Sequence, residues 1–148
     1  MITLDWDNIN YEEAARRVCK ILAFSSVQSL EIRTSPSLGG FHIYIETHPI
    51  NEAMQISLRQ RWKDDGRRIL GDLFAPKAVY RNVMFVYKSS PLGTLGEIPI
   101  VKYERMATNN WKIWHLSPRH PLPMPLQELP WLLQSVGDSS QQNTQRLT

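Results

Sequence analysis

The sequence is short of cysteine and has no long apolar run. Its 148 residues include a single cysteine, Cys19, which excludes an intrachain disulfide framework and a zinc site built from cysteines. A membrane-spanning helix needs about 18 or more consecutive apolar residues, and the chain has no such run. The N-terminal residues have no basic stretch followed by an apolar segment, so they do not resemble a secretory signal. We therefore expect a cytoplasmic protein without a membrane partner.

Positively charged residues are only slightly in excess. The 17 Lys and Arg residues outnumber the 14 Asp and Glu residues, which gives a formal net charge of +3. This excess permits a nucleic-acid partner without requiring one. The chain has no P-loop, no GxGxxG motif and no pattern of Ser or Cys with His that is typical of a nucleophile and its base. Candidate chemistry therefore has to be sought among other side chains.

Strand and helix patterns alternate along the first 88 residues. Apolar residues at every second position predict strands, and apolar residues at helical spacing predict helices. The predicted strands are residues 2–7, 30–33, 41–46 and 82–88. The predicted helices are residues 11–24 with Asn10 as N-cap, a helix that begins after the N-cap Asn51, and a short piece at 67–74. We expect the short piece to bury Ile69, Leu70, Leu73 and Phe74.

This order of elements predicts an α+β fold. A turn rich in Pro and Gly joins the second and third strands into a hairpin. The resulting β-α-β-β-α-β order is that of the ferredoxin-like, or RNA-recognition-motif-like, core. Two helices cover one face of its sheet and leave the other face open. We expect this core at residues 1–88, an irregular extension at 89–136 and a disordered, polar tail at 137–148.

The extension contains two recognisable segments. Residues 98–103 and 111–115 can form a hairpin around Asn109-Asn110. Residues 118–130 hold five of the ten prolines and should lack regular structure.

Strand alternation assigns a polar set of residues to the open face of the sheet. Its members are Thr3, Asp5, Asp7, Glu31, Arg33, His42, Tyr44 and Glu46. Asp5 and Asp7 are two positions apart on one strand, so their Cβ atoms are about 6–7 Å apart on the same side. Asp is disfavoured in strands, and two carboxylates that repel each other become useful when a divalent cation binds between them. The alternative is a solvated acidic strand face without a metal.

His42 follows the Gly39-Gly40 turn on the same face. A turn of small residues lets a phosphate approach the backbone closely, and the histidine can then donate to a phosphate oxygen. The alternative is a hairpin turn followed by an exposed histidine.

A third charged group lies in the second predicted helix and the short piece that follows it. Its members are Arg59, Asp64, Asp65, Arg68 and Asp72. The spacings Asp64–Arg68 and Arg68–Asp72 are those of i,i+4 ion pairs on a solvated helix face. In the functional alternative, Asp72 supplies a third carboxylate and the arginines contact phosphates.

These three groups, in this order, resemble motifs of the archaeo-eukaryotic primase superfamily, which includes the primase–polymerases. Leu4-Asp5-Trp6-Asp7 resembles its hydrophobic-Asp-hydrophobic-Asp motif, and residues 37–44 resemble its small-residue turn that ends in Gly-x-His. Residues 58–72 resemble the Arg…Asp-Asp…Arg-Ile…Asp stretch of small primase-like proteins of mobile elements. The similarity covers residues 1–88, and the catalytic core of that family is a palm of the RNA-recognition-motif type.

The resemblance implies a metal-dependent nucleotidyltransferase that acts in nucleic-acid replication. The catalytic, metal-binding residues would be Asp5, Asp7 and Asp72, with Mg²⁺ or Mn²⁺ as cofactor. The nucleotide-binding residues would be Ser37, Gly39, Gly40, His42, Arg59 and Arg68. The partners would be a single-stranded nucleic-acid template, nucleotide triphosphates and a further protein subunit.

Two other functions are compatible with the same core. A non-catalytic domain of the RNA-recognition-motif type would bind single-stranded nucleic acid by stacking bases on sheet-face aromatics such as Tyr44. The acids of the open face oppose phosphate binding without a metal, which counts against this alternative. In the second alternative, the protein is a replication partner. Its proline-rich residues 118–130 dock on another protein, and the sheet has no binding or catalytic role.

Overall fold

The computed structural model describes residues 1–36, 39–74, 84, 87–90 and 93–116. These residues form an α+β fold. The strands are β1 (Ile2–Asp7), β2 (Val27–Thr34), β3 (Gly40–Thr47), β4 (Tyr87–Ser90), β5 (Gly93–Gly96), β6 (Pro99–Arg105) and β7 (Trp111–His115). The helices are α1 (Tyr11–Leu22), α2 (Glu52–Arg61) and α3 (Gly66–Phe74).

Five strands form one antiparallel sheet in the order β1-β3-β2-β6-β7. The register places His42 of β3 opposite Asp5 of β1 on one side and opposite Arg33 of β2 on the other. Directly opposite residues of an antiparallel pair project from the same face. Asp5, His42 and Arg33 therefore form one row across the face that is turned away from the core.

The opposite face carries the hydrophobic core. Alternate strand residues point into it, and α1 covers it with residues at helical spacing. The buried strand residues include Ile2, Leu4, Trp6, Leu30, Ile32, Ile43, Ile45, Val101 and Tyr103. The buried residues of α1 are Ala14, Ala15, Val18, Cys19, Ile21 and Leu22.

Both predicted N-caps are confirmed. The side-chain oxygen of Asn10 accepts a hydrogen bond from the backbone N–H of Glu13, and Asn51 accepts one from Met54, each at 2.8 Å. Each bond satisfies a donor that the first turn of a helix leaves unpaired. The local signal was sufficient here because the cap and its partner are three residues apart.

The hairpin around Asn109-Asn110 is also confirmed. It consists of β6 and β7, and Asn109 adopts the left-handed conformation that such a turn requires, with φ of 66°. The hairpin belongs to the main sheet because β6 pairs along the free edge of β2.

The prediction that α3 buries four apolar residues is wrong for three of them. Only Ile69 is buried, whereas Leu70, Leu73 and Phe74 are 55%, 47% and 84% exposed. Ion pairs made by its arginine and aspartate side chains hold α3 beside the edge of β1, so Ile69 is its single apolar anchor.

The predicted fourth strand, residues 82–88, lies mostly outside the described residues. Its described end belongs to β4, which pairs with β5 in a separate two-stranded sheet. The proline-rich residues 118–130 and the predicted tail at 137–148 also lie outside the described residues. Within the described part of the chain, no helix has the length and apolar character needed to cross a bilayer.

Candidate metal and phosphate site

Three carboxylates converge at the outer end of β1. Asp5 and Asp7 lie on the strand, and Asp65 comes from the turn between α2 and α3. One oxygen of each lies within 4.8 Å of the others, and no other such group of His, Cys, Asp and Glu occurs among the described residues. We call Asp5, Asp7 and Asp65 the acid triad. Its all-oxygen donor set is the type that Mg²⁺ and Mn²⁺ prefer.

The turn between α2 and α3 places Asp65 in this triad. Lys63 adopts a left-handed conformation, with φ of 61°, which turns the chain back toward β1. The Asp65 side chain accepts a hydrogen bond at 2.9 Å from the backbone N–H of Arg67, and Arg67 also pairs with the same carboxylate at 3.2 Å. Bonds from Arg67 outweigh the effect of partial burial and lower the pKa of Asp65, which keeps it ionised.

Asp64 connects this turn to the strand. It is fully buried, and Oδ1 accepts a hydrogen bond at 2.8 Å from the backbone N–H of Asp5. That N–H points outward from β1, where no described strand pairs with it. Asp64 is therefore a positioning residue that fixes the backbone from which the Asp5 carboxylate projects.

The Asp5 carboxylate lies in an unfavourable electrostatic environment. Burial first, and then repulsion from Asp7 and Asp64, raise its pKa, and the attraction of His42 and Arg68 only partly offsets this. Its Oδ1 is buried and has no hydrogen-bond partner among the described residues, and the His42 Nε2 atom is 3.6 Å away from it. An unsatisfied buried oxygen is costly. A cation held by the acid triad would offset the repulsion between Asp5 and Asp7, so the residues fit the implied metal.

Three cations border the same depression as the acid triad: Arg17, Lys63 and Arg67. Arg67 and Lys63 are exposed, whereas Arg17 is largely buried and paired with Glu13 at 3.0 Å. Carboxylates that can hold a metal, bordered by cations, suit a ligand that carries several phosphates.

His42 does not face open solvent. Its side chain is 4% exposed, and its Nδ1 lies 2.5 Å from Glu97 Oε2. The same carboxylate accepts a hydrogen bond at 2.5 Å from the Tyr44 hydroxyl and one at 3.2 Å from Arg33. We call Arg33, His42, Tyr44 and Glu97 the Glu97 cluster. Sequence reasoning missed Glu97 because only the pairing of β6 with β2 brings it to this face.

The glycine turn has a structural reason of its own. A Cβ atom on Gly40 would lie 2.0 Å from the backbone oxygen of Trp6, so only glycine allows β3 to approach β1 this closely. Gly39 is not constrained in this way, since a Cβ there meets Asn8 Oδ1 at an ordinary 3.4 Å. Both glycines line a separate depression beside the start of α1. Ser37 lies outside the described residues.

The other predicted site residues form a closed cluster. Arg59 is buried and bonds Asp64 at 2.8 Å and Asp72 at 2.5 Å, while Arg68 bonds Asp64 at 2.5 Å. We call Arg59, Asp64, Arg68 and Asp72 the ionic hub. Asp72, the predicted third carboxylate, is paired inside this hub, whereas Asp65 lies beside Asp5 and Asp7. The predicted i,i+4 pair Asp64–Arg68 is present, but it is buried rather than solvated.

Comparisons of the chain with protein-family models, with curated proteins and with solved structures find no match. The function therefore has to be argued from the residues themselves.

Proposed function

We propose that this protein is a metal-dependent nucleotidyltransferase of the primase–polymerase type that acts in nucleic-acid replication. The observation that carries the proposal is the acid triad with the buried, unpartnered Oδ1 of Asp5 beside His42. The motif resemblance of residues 1–88 supports the reaction class. The Asp5 and Asp7 positions are those that the resemblance implies, and Asp65 replaces Asp72 as third ligand.

Each group has a distinct task in this proposal. Asp5, Asp7 and Asp65 would hold Mg²⁺ or Mn²⁺, which when bound activates a hydroxyl nucleophile and stabilises the departing pyrophosphate. Lys63 and Arg67 contact phosphates of the nucleotide at the rim of the depression. Asp64 holds the Asp5 backbone in place and touches no substrate.

A basic groove supports single-stranded nucleic acid as the partner. It adjoins the acid triad through two shared residues, Arg17 and Lys63, and runs between α1 and the end of α2. Its other cations are Arg16, Lys20 and Arg61. Lys20, Arg61 and Lys63 have no ion pair with any described residue, so they can bind backbone phosphates.

The decisive experiment measures nucleotide incorporation on a primed single-stranded template with Mn²⁺ or Mg²⁺. We expect the wild type to incorporate nucleotides and the Asp5→Asn, Asp7→Asn double variant to lose this activity at least a hundredfold while remaining folded. Glu46→Gln, on the exposed part of the same face, is the matched control and should stay near wild type. A folded wild type that incorporates nothing with either metal would contradict the proposal.

The non-catalytic alternative makes a different prediction for the same groove. Fluorescence anisotropy with a labelled single-stranded oligonucleotide in EDTA reports binding without metal chemistry. Lys20→Glu with Arg61→Glu should weaken binding about tenfold or more and reduce its salt dependence, whereas Lys112→Glu on β7 should not. Oligonucleotide binding of this kind, combined with no incorporation under any metal condition, would favour the non-catalytic binder.

A further inference from the structure

Three donors from two strands converge on a single carboxylate beside the acid triad. The Tyr44 hydroxyl and the His42 ring both contact Oε2 of Glu97 at 2.5 Å, and Arg33 donates to Oε1 at 3.2 Å. The Glu97 side chain is 5% exposed, and that of His42 is 4% exposed. A buried carboxylate with donors on both oxygens occupies a preformed anion site.

The donors are suited to more than a carboxylate. Burial, together with the hydrogen bond to Glu97, raises the pKa of Tyr44 above its usual range, so the phenol remains a neutral donor. The Arg33 guanidinium is stacked 4.4 Å from the Tyr44 ring centroid and is held by Glu31 at 2.5 Å, which limits its motion. A phosphate group offers the same kind of acceptor oxygens, and a fixed arginine binds it well.

His42 connects this anion site to the acid triad. Its Nδ1 faces Glu97, while its Nε2 lies 3.6 Å from Asp5 Oδ1. One imidazole ring thus separates the position of the anion from the carboxylate with the unpartnered oxygen. A phosphate in the anion site would lie next to the position where the acid triad can hold a metal.

We propose that Arg33, His42 and Tyr44 form a phosphate-binding site that Glu97 closes from within the chain, so that a nucleotide phosphate and the Glu97 carboxylate compete for the same three donors. The proposal deepens the proposed function and rests on it for the identity of the ligand as a nucleotide. The new element is Glu97, whose carboxylate occupies the three donors and makes phosphate binding weaker than it would be without Glu97.

The backbone beside Glu97 is anchored to the end of β2. Thr34 and Ile98 are joined by two hydrogen bonds, from Thr34 N–H to the Ile98 carbonyl at 2.9 Å and from Ile98 N–H to Thr34 Oγ1 at 3.0 Å. These bonds fix the chain immediately after Glu97. In this proposal the Glu97 side chain rotates away from the donors while the backbone beside it stays in place.

The test measures binding of inorganic pyrophosphate by isothermal titration calorimetry in EDTA, with stability measured by urea unfolding in parallel. We expect Glu97→Ala to bind pyrophosphate about tenfold or more tightly than the wild type although it is less stable. Glu97→Gln keeps the side-chain volume, and it should show a smaller gain of about threefold or more. Adding Arg33→Ala to either variant should remove the gain.

Glu31→Gln is the matched control, because Glu31 also pairs with Arg33 and lies opposite Tyr44, but it makes no hydrogen bond or ion pair with His42 or Tyr44 in the described part of the chain. If both Glu97 variants lose stability without a gain in affinity, or if Glu31→Gln gains as much as Glu97→Gln, the proposal is overturned. Competition of the bound pyrophosphate by a deoxynucleoside triphosphate supports a nucleotide ligand. Competition by an unphosphorylated oligonucleotide alone overturns that assignment in favour of a backbone phosphate.

The test uses neither a metal nor turnover, so its outcome is distinct from that of the incorporation assay. If the Glu97 variants gain pyrophosphate affinity but the protein incorporates no nucleotide, the anion site is supported and the nucleotidyltransferase proposal is contradicted. If incorporation depends on Asp5 and Asp7 but the Glu97 variants do not change pyrophosphate affinity, the nucleotidyltransferase proposal is supported and the anion site is contradicted.

Discussion

The acid triad and the ionic hub contain the same residue type but behave in opposite ways. Asp64 and Asp65 are neighbours in the chain, yet they belong to different clusters. The Asp64 side chain is 0% exposed and accepts bonds from two arginines and two backbone N–H groups. The Asp65 side chain is 18% exposed and faces Asp5 and Asp7.

The difference lies in where the compensating charges are. In the hub, Arg59 and Arg68 are buried or nearly so and neutralise the carboxylates directly, which is the arrangement of a structural ion network. In the acid triad, negative charge is concentrated, and Arg67 and Lys63 lie toward the rim. One acidic cluster therefore holds β1 in place, whereas the other lies in a surface depression and, in the proposed function, binds a metal.

The largest expected effect is the difference in the free energy of unfolding between a variant of the ionic hub and a variant of the acid triad. Asp64→Ala should lower the free energy of unfolding by about 3–5 kcal/mol, because it removes one of the two carboxylates that pair with the buried Arg59 and the partner of the Asp5 backbone N–H. Asp65→Ala removes a partly exposed pair with Arg67 and the hydrogen bond to the Arg67 backbone N–H at the start of α3, and it should lower the free energy of unfolding by about 1–2 kcal/mol. Urea unfolding measures both. Similar losses for the two variants would contradict the division into a structural and an available cluster.

The second effect uses metal as the probe. If Mn²⁺ binds the acid triad, the wild type at roughly ten times the dissociation constant should gain about 1.4 kcal/mol of stability. Asp65→Asn should lose most of this gain. Thermal unfolding with and without Mn²⁺ measures it.

Asp72→Asn is the matched variant for that experiment. It should keep the metal-dependent gain, measured as a difference from its own metal-free value, although its basal stability falls through the loss of its pair with Arg59. Loss of the gain in Asp72→Asn and its retention in Asp65→Asn would restore the third ligand that the sequence predicts.

The smallest effect concerns pH in the metal-free protein. Burial and repulsion raise the pKa of Asp5 in the folded state, so its protonated form favours folding. This contribution is complete below the unfolded-state pKa of about 3.9 and is lost as pH rises through the folded-state value. Asp5→Asn should therefore gain stability relative to the wild type as pH increases from 4 toward 7 in EDTA.

Asp65 should show the opposite sign. Its lowered pKa stabilises the fold above the unfolded-state value, and this contribution is lost as pH falls through the folded-state value. Asp65→Asn should therefore lose stability relative to the wild type at neutral pH and approach it in acid. Equal pH profiles for the Asn variants of Asp5 and Asp65 would show that the two carboxylates share one environment.

Local patterns predicted much of the fold. The bounds of β1, the caps Asn10 and Asn51 and the hairpin of β2 and β3 all depend on residues a few positions apart. The alternation also assigned Asp5, Asp7 and His42 correctly to the face opposite the core. These features were predictable because side-chain direction in a strand has a period of two.

Other features depend on contacts between distant segments. The apolar spacing in α3 suggested four buried residues, but only Ile69 is buried, because ion pairs determine how α3 lies against β1. Asp65 and Asp72 are both aspartates in plausible positions, but only Asp65, which follows the turn at Lys63, lies beside Asp5 and Asp7. No local signal identifies Glu97 as a partner of His42, since 55 residues separate them.

The sequence by itself therefore determined which residues share a face of each strand and where helices begin, because these follow from the backbone's own periodicity and hydrogen bonding. Only the tertiary structure decided which carboxylates are neutralised, which lie together and which residue fills the anion site. Those outcomes depend on how the turn between α2 and α3 packs on β1 and how β6 pairs with β2, and such long-range contacts fix the distances on which charge interactions depend.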